Sequence, residues 1–139
     1  MSTEIRTKRI LVVDDEEHIR KVLSRALMAQ GYDVATAANG EEALLKASES
    51  PFDMALLDLK MPGMGGLEAL QKLKEKLPGI VVIMLTGVAD NESIVTSSMA
   101  KGAVAFLTKP CSLADLKETV SKAFGSGSPS TIVECSRGS

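Results

Sequence analysis

Five positions carry side chains that together could do chemistry. Asp14 and Asp15 follow the apolar run Ile10-Leu11-Val12-Val13, and Asp58 follows Met54-Ala55-Leu56-Leu57. Thr86 follows the run Ile80 to Leu85, and Lys109 comes just after Val104 to Leu107, with Pro110 behind it. If these runs are strands of one parallel sheet, all five residues gather at its carboxyl ends, where open sheets of this kind bind ligands. Three carboxylates on one small surface repel each other by roughly several kcal/mol unless something neutralises them. A hard divalent cation with oxygen ligands does so, and Mg²⁺ keeps waters that phosphate oxygens can replace. Lys109 adds a fixed positive charge, and Thr86 a hydroxyl able to donate to a phosphoryl oxygen. The set describes phosphoryl transfer: Asp58 as nucleophile, the cation shielding it from the incoming anion, Lys109 and Thr86 on the equatorial oxygens. The product would be an acyl phosphate, labile enough to serve a resettable switch.

The elements that must position these residues follow from periodicity. Short apolar runs alternate five times with segments of helical spacing. Ile10 to Val13 is unbroken by polar residues, as in a strand covered on both faces. Ile19, Val22, Leu23, Ala26 and Leu27 recur at helix spacing, and Gly31 stops that helix. Val34 to Ala37 reads as a weaker, edge strand. Asn39 is placed to cap a second helix, with Glu41 and Glu42 at its positive end. Met54 to Leu57 gives a third strand, and Leu67, Leu70, Leu73 and Leu77 stripe a third helix that Pro78-Gly79 ends. After the fourth strand, Asp90 can cap a helix through Ala100, closed by Gly102. Val104 to Leu107 is the fifth strand, and Leu113, Leu116, Val120 and Phe124 line a last helix that Ser112 and Asp115 open. Such alternation with short connections implies an α/β fold, a parallel sheet with helices on both faces.

The chain has 139 residues, enough for one domain, with 45% hydrophobic and 24% charged residues, the balance of a folded soluble protein. A net charge of -2 leaves no basic footprint for direct nucleic-acid binding. No apolar run is long enough to span a membrane, and the polar, basic Met1 to Arg9 does not lead a signal peptide. Cys111 and Cys135 form neither a metal-ligand spacing nor a disulfide framework, so a cytoplasmic protein is expected. Residues 1–7 read as a tail, 8–125 as the folded domain, and 126–139 as a flexible Ser/Gly-rich tail or linker.

The strings LVVDDE, LLDLKMPGMGG, MLTG and AFLTKP resemble, in this order and at these intervals, the signature of the response-regulator receiver domain. The resemblance covers the whole folded unit and implies a flavodoxin-like (βα)5 fold with strand order 2-1-3-4-5. It implies that Asp58 is the phosphoacceptor and also a Mg²⁺ ligand, with Mn²⁺ able to substitute. Asp15 matches the more direct acidic metal ligand, Asp14 one acting through water, and the Lys60 backbone carbonyl the third protein ligand. Thr86 and Lys109 match the switch hydroxyl and the phosphate-binding lysine. Pro110 matches a position preceded by a cis peptide, and Phe106 the aromatic that moves inward with the hydroxyl. The implied partners are a histidine kinase or phosphotransfer protein and an effector, with a phosphorylation-dependent dimer among the outcomes. The responding face would be the fourth helix, fifth strand and fifth helix, about Asp90 to Phe124. Lys60 and Val88 fall where the family tunes hydrolysis of the acyl phosphate; Val88 offers no polar group to position water.

Other readings compete. An aspartate-nucleophile phosphatase needs a second carboxylate two residues after the nucleophile, and that position is Lys60. A nucleotide carrier needs phosphate donors in the first turn, where this chain has Asp14-Asp15-Glu16-Glu17. A pseudo-receiver that binds partners without phosphorylation would not need the acidic set. His18 sits among polar residues early in the first helix and reads as solvated rather than catalytic. Neither a base nor a second thiol is evident beside Cys111. A signalling module, with no activity beyond its own phosphotransfer and slow autodephosphorylation, is therefore the reading the sequence favours.

Overall fold

The computed structural model describes residues 8–59, 63–87, 99–109 and 112–126, with the side chains of 109, 125 and 126 excepted. Strands β1 (Arg9–Val13), β2 (Asp33–Ala37), β3 (Met54–Asp58), β4 (Val81–Gly87) and β5 (Ala105–Lys109) form one parallel sheet in the order β2-β1-β3-β4-β5. The expected order is therefore the one found. Helices α1 (Glu17–Ala29), α2 (Gly40–Glu49) and α3 (Gly66–Lys76), with a C-terminal helix (Leu113–Ser126), cover it. Met99 and Ala100 are also helical, but most of the expected fourth helix, from Asp90, lies outside the described residues.

Successive strand side chains point to opposite faces, so every central strand feeds two cores. Leu11, Val13, Ala55, Leu57, Val82 and Met84 pack with Ala43 and Ala47 of α2 and Ala69, Leu70 and Leu73 of α3. Ile10, Val12, Met54, Leu56, Ile83 and Leu85 pack with Leu23 and Leu27 of α1 and Leu116 and Val120 of the C-terminal helix. This explains the unbroken apolar runs. A strand buried on both faces has no polar side to alternate with. β2, at the edge, is exposed at Asp33, half-buried from Val34 to Thr36 and buried only at Ala37.

The helix ends follow local chemistry. Asn39 Oδ1 accepts from Glu42 N at 2.8 Å, and Glu42 Oε1 accepts from Ala38 N at 2.8 Å, so two N–H groups that the helix cannot pair are satisfied at the start of α2. Ser112 Oγ accepts from Asp115 N at 3.0 Å. Gly31, at φ +98°, ends α1 as expected. The C-terminal helix runs to Ser126, through Gly125 rather than stopping before it. Two expected core residues face outward: Val22 is 37% exposed and Leu113 48%. The buried arc of α1 is centred on Leu23 and Leu27; at about 100° per residue Val22 lies about 120° off that centre. Leu113 opens its helix at the carboxyl edge of the sheet, where the strands end. Among the described residues, no helix is long and apolar enough to cross a membrane.

Candidate functional site

Asp14 directly follows β1 and keeps the sheet pairing for one more residue, its N–H donating to Ala37 O at 3.1 Å. That extension buries it completely. Its Oδ1 accepts from Glu16 N at 3.0 Å, and its carbonyl accepts from Arg20 Nη1 at 2.7 Å. Asp15, one residue on, is exposed. Asp58 ends β3 opposite Leu85 of β4 and is 5% exposed. Each of the three aspartates offers a carboxylate oxygen within 4.8 Å of the other two. At that range the buried pair Asp14 and Asp58 would repel by roughly 3 kcal/mol if both are ionised, at an effective dielectric of about 20. Burial adds a desolvation cost of the same sign. Hard oxygen donors, converging from three positions and partly open to solvent through Asp15, suit Mg²⁺.

Leu59, which follows Asp58, is held on both sides. Leu59 N donates to Leu85 O at 2.9 Å, and Leu59 O accepts from Gly66 N at 2.9 Å. A Cβ at Gly66 would stand 2.4 Å from Asp58 O and 2.6 Å from Leu59 Cα. At Gly66 the close approach is between the start of α3 and the end of β3, which fixes the position of Asp58 itself. The partner that arrives is backbone, and the sequence does not show which.

Thr86, 3% exposed, lies in β4 beside Thr108 of β5, and its hydroxyl is 3.4 Å from Leu107 O in a long hydrogen bond. Phe106 pairs in register with Met84, two residues before Thr86, and packs half-buried on the α2/α3 side of the sheet. By strand alternation Thr86 and Phe106 share that face. Lys109 pairs with Gly87 at the carboxyl end of β5. Its side chain, together with Lys60, Val88, Pro110 and Cys111, lies outside the described residues. His18 is exposed.

Of the residues singled out from the sequence, the structure thus gathers Asp14, Asp15 and Asp58, with Thr86 on the next strand. It adds Arg20, which sequence reasoning passed over. The arginine falls one helical turn past Glu16, but nothing in the sequence says that it turns back toward β1. An open groove of about 310 Å³ runs along α1 against Thr36 of β2. None of the three aspartates lines it.

Residues 10–121 match the response regulator receiver domain family. Response regulator GacA of Pseudomonas viridiflava is 39% identical over 118 residues, which is 84% of this chain and 55% of that one. The alkaline phosphatase synthesis transcriptional regulatory protein PhoP of Bacillus subtilis is 41% identical over 105 residues, 76% of this chain and 43% of its own. The chain therefore spans about half the length of these curated relatives. Among solved structures, the chemotaxis protein CheY4 of Vibrio cholerae superposes with a TM-score of 0.80 at 32% identity, covering 85% of this chain and 99% of that one. With an acidic cluster at the carboxyl ends of a 2-1-3-4-5 sheet and a family match over nearly the whole described unit, the chain belongs to the response regulator receiver family, the signalling module of two-component systems.

Proposed function

We propose that the chain is a phosphorylation switch that takes a phosphoryl group onto Asp58 from a histidine kinase or a phosphotransfer protein. The observation that carries this is the convergence of Asp14, Asp15 and Asp58 within 4.8 Å. Asp15 and Asp58, with the Lys60 carbonyl, would hold Mg²⁺ directly, and Asp14 through water; Mn²⁺ has the same oxygen preference. When bound, the cation neutralises the carboxylates and the incoming phosphoryl oxygens.

The protein's own groups do the rest. An Asp58 carboxylate oxygen attacks phosphorus, the bond from phosphorus to the donor's imidazole nitrogen breaks, and the electron pair stays with the donor. Asp58 sits at the end of a fully buried strand, so it presents its oxygen without a large ordering cost. Lys109 would neutralise the phosphoryl charge. Thr86 exchanges its long bond to Leu107 O for one to a phosphoryl oxygen. Phe106, half-buried on the same face, follows inward. The face of the fourth helix, fifth strand and fifth helix then changes its affinity for an effector, or for a second copy of the chain. No separate substrate is turned over. The chain acts in the cytoplasm, without direct contact with nucleic acid or membrane; the folded unit is residues 8–125, with the last helix reaching Ser126, preceded by a tail and followed by a tail or linker.

Intact-mass spectrometry after incubation with acetyl phosphate and Mg²⁺ tests this. The parent should gain one phosphoryl group, and Asp58→Asn and a metal-free sample none. A parent that stays unmodified with acetyl phosphate and with a histidine-kinase donor would overturn the proposal and leave a pseudo-receiver.

A further inference from the structure

We propose that Arg20 is a positioning residue for the cation site, holding the Asp14–Asp15 peptide from the first turn of α1. This rests on reading the aspartate cluster as a Mg²⁺ site. The N-cap residue of α1, Glu16, makes no side-chain capping bond, so no cap fixes how the chain leaves β1 for the helix. Two other bonds hold the turn: Glu16 N to Asp14 Oδ1, and Arg20 Nη1 to the Asp14 carbonyl at 2.7 Å.

That carbonyl belongs to the planar peptide unit joining Asp14 to Asp15. The guanidinium therefore sets the plane from which Asp15 departs. Asp14 is buried and bonded to Ala37, so packing already holds it. Asp15 is exposed, and its place beside Asp14 and Asp58 depends on the backbone. A donor with a full charge makes the stronger kind of hydrogen bond, and a planar guanidinium holds its direction.

A second effect has the opposite sign. A backbone carbonyl does not neutralise Arg20, so the charge by itself repels a cation from the cluster. Removing only a charge would tighten Mg²⁺ binding, whereas removing the clamp would weaken it. The experiment reads which effect wins.

Mg²⁺ alone is titrated into the full chain by isothermal calorimetry, for the parent, Arg20→Ala and Arg20→Lys. Groups that orient metal ligands usually change affinity by 10-fold or more, so Arg20→Ala should bind Mg²⁺ about tenfold more weakly. Arg20→Lys, which keeps a long charged donor, should recover part of the loss. Phosphorylation by acetyl phosphate should need more Mg²⁺ in Arg20→Ala but reach the parent rate at saturation. If Arg20→Ala does not fold, Arg20→Met keeps the unbranched stem without the donor and should show the same loss. Mg²⁺ binding that is unchanged or tighter in the folded variant overturns the proposal. A parent that binds Mg²⁺ yet takes no phosphoryl group overturns the proposed function alone, because the titration still decides the role of Arg20.

Discussion

At the scale of single residues, the site depends as much on a missing side chain as on those present. Gly65 and Gly66 are adjacent at the start of α3, yet their surroundings differ. A Cβ at Gly65 meets nothing within 4 Å, whereas at Gly66 it meets Asp58 O at 2.4 Å and Leu59 O at 2.8 Å. Both contacts at Gly66 are backbone, which cannot swing aside as a flexible side chain could. Gly66→Ala should therefore cost about 1–3 kcal/mol of stability, as overpacked sites do, and displace the Asp58 end of β3. Gly65 is the N-cap of α3 and makes no side-chain capping bond, so Gly65→Ser supplies an oxygen there and should change stability by less than about 1 kcal/mol, in the favourable direction. Urea unfolding of the two variants, with phosphoryl uptake measured by mass, checks the contrast. Equal losses would mean that α3 can shift away from β3 and that Gly66 does not fix Asp58.

At the scale of elements, the sequence shows periods well and the turning of a helix about its axis poorly. The five apolar runs became five strands because burial on both faces leaves a continuous signal. The three aspartates were legible because they fall at, or within two residues of, the end of such a run. Which flank of a helix is buried depends on its neighbours, and periodicity does not record them. On α1 the apolar Val22 faces out, while Ser24, about 80° from the centre of the buried arc, is covered. Its hydroxyl has no hydrogen-bond partner, and neither has that of Thr119 in the C-terminal helix, which packs on the same side of the sheet. A buried hydroxyl without a partner costs about 1–3 kcal/mol, and alanine is the better helix former. Ser24→Ala should thus raise stability by about 1 kcal/mol, visible as a higher urea midpoint at an unchanged slope. No gain would show that the hydroxyl is hydrated through the groove along α1, which Ser24 lines. The roles of Lys60 and Pro110 came only from resemblance. Neither a backbone-carbonyl ligand nor a cis peptide is marked by residue type and spacing.

At the scale of the whole molecule, a parallel sheet has two unlike ends, and this one divides its polar residues between them. The carboxyl ends carry Asp14, Asp15 and Asp58, three carboxylates whose mutual repulsion, where they are ionised, opposes folding and would be relieved by a cation. The amino ends carry a stabilising counterpart built on Arg9. Its backbone N–H donates to Asp53 Oδ2 at 2.8 Å, and its guanidinium donates to Asp33 Oδ2, Ser50 Oγ and the Pro51 carbonyl while lying over the Phe52 ring at 4.6 Å. One side chain thus ties the start of β1 to the start of β2 and to the turn before β3. The ion pair with Asp33 is partly exposed and is worth little by itself. The bonds to Ser50 and Pro51 and the contact with the ring carry more, so Arg9→Ala should lose about 1–2 kcal/mol of stability. The same variant should leave the Mg²⁺ dissociation constant unchanged, because the strands between the two ends are buried, hydrogen-bonded and closely packed. If Mg²⁺ binding weakened along with stability, the sheet would not be a rigid spacer, and tension at its amino ends would reach the aspartates.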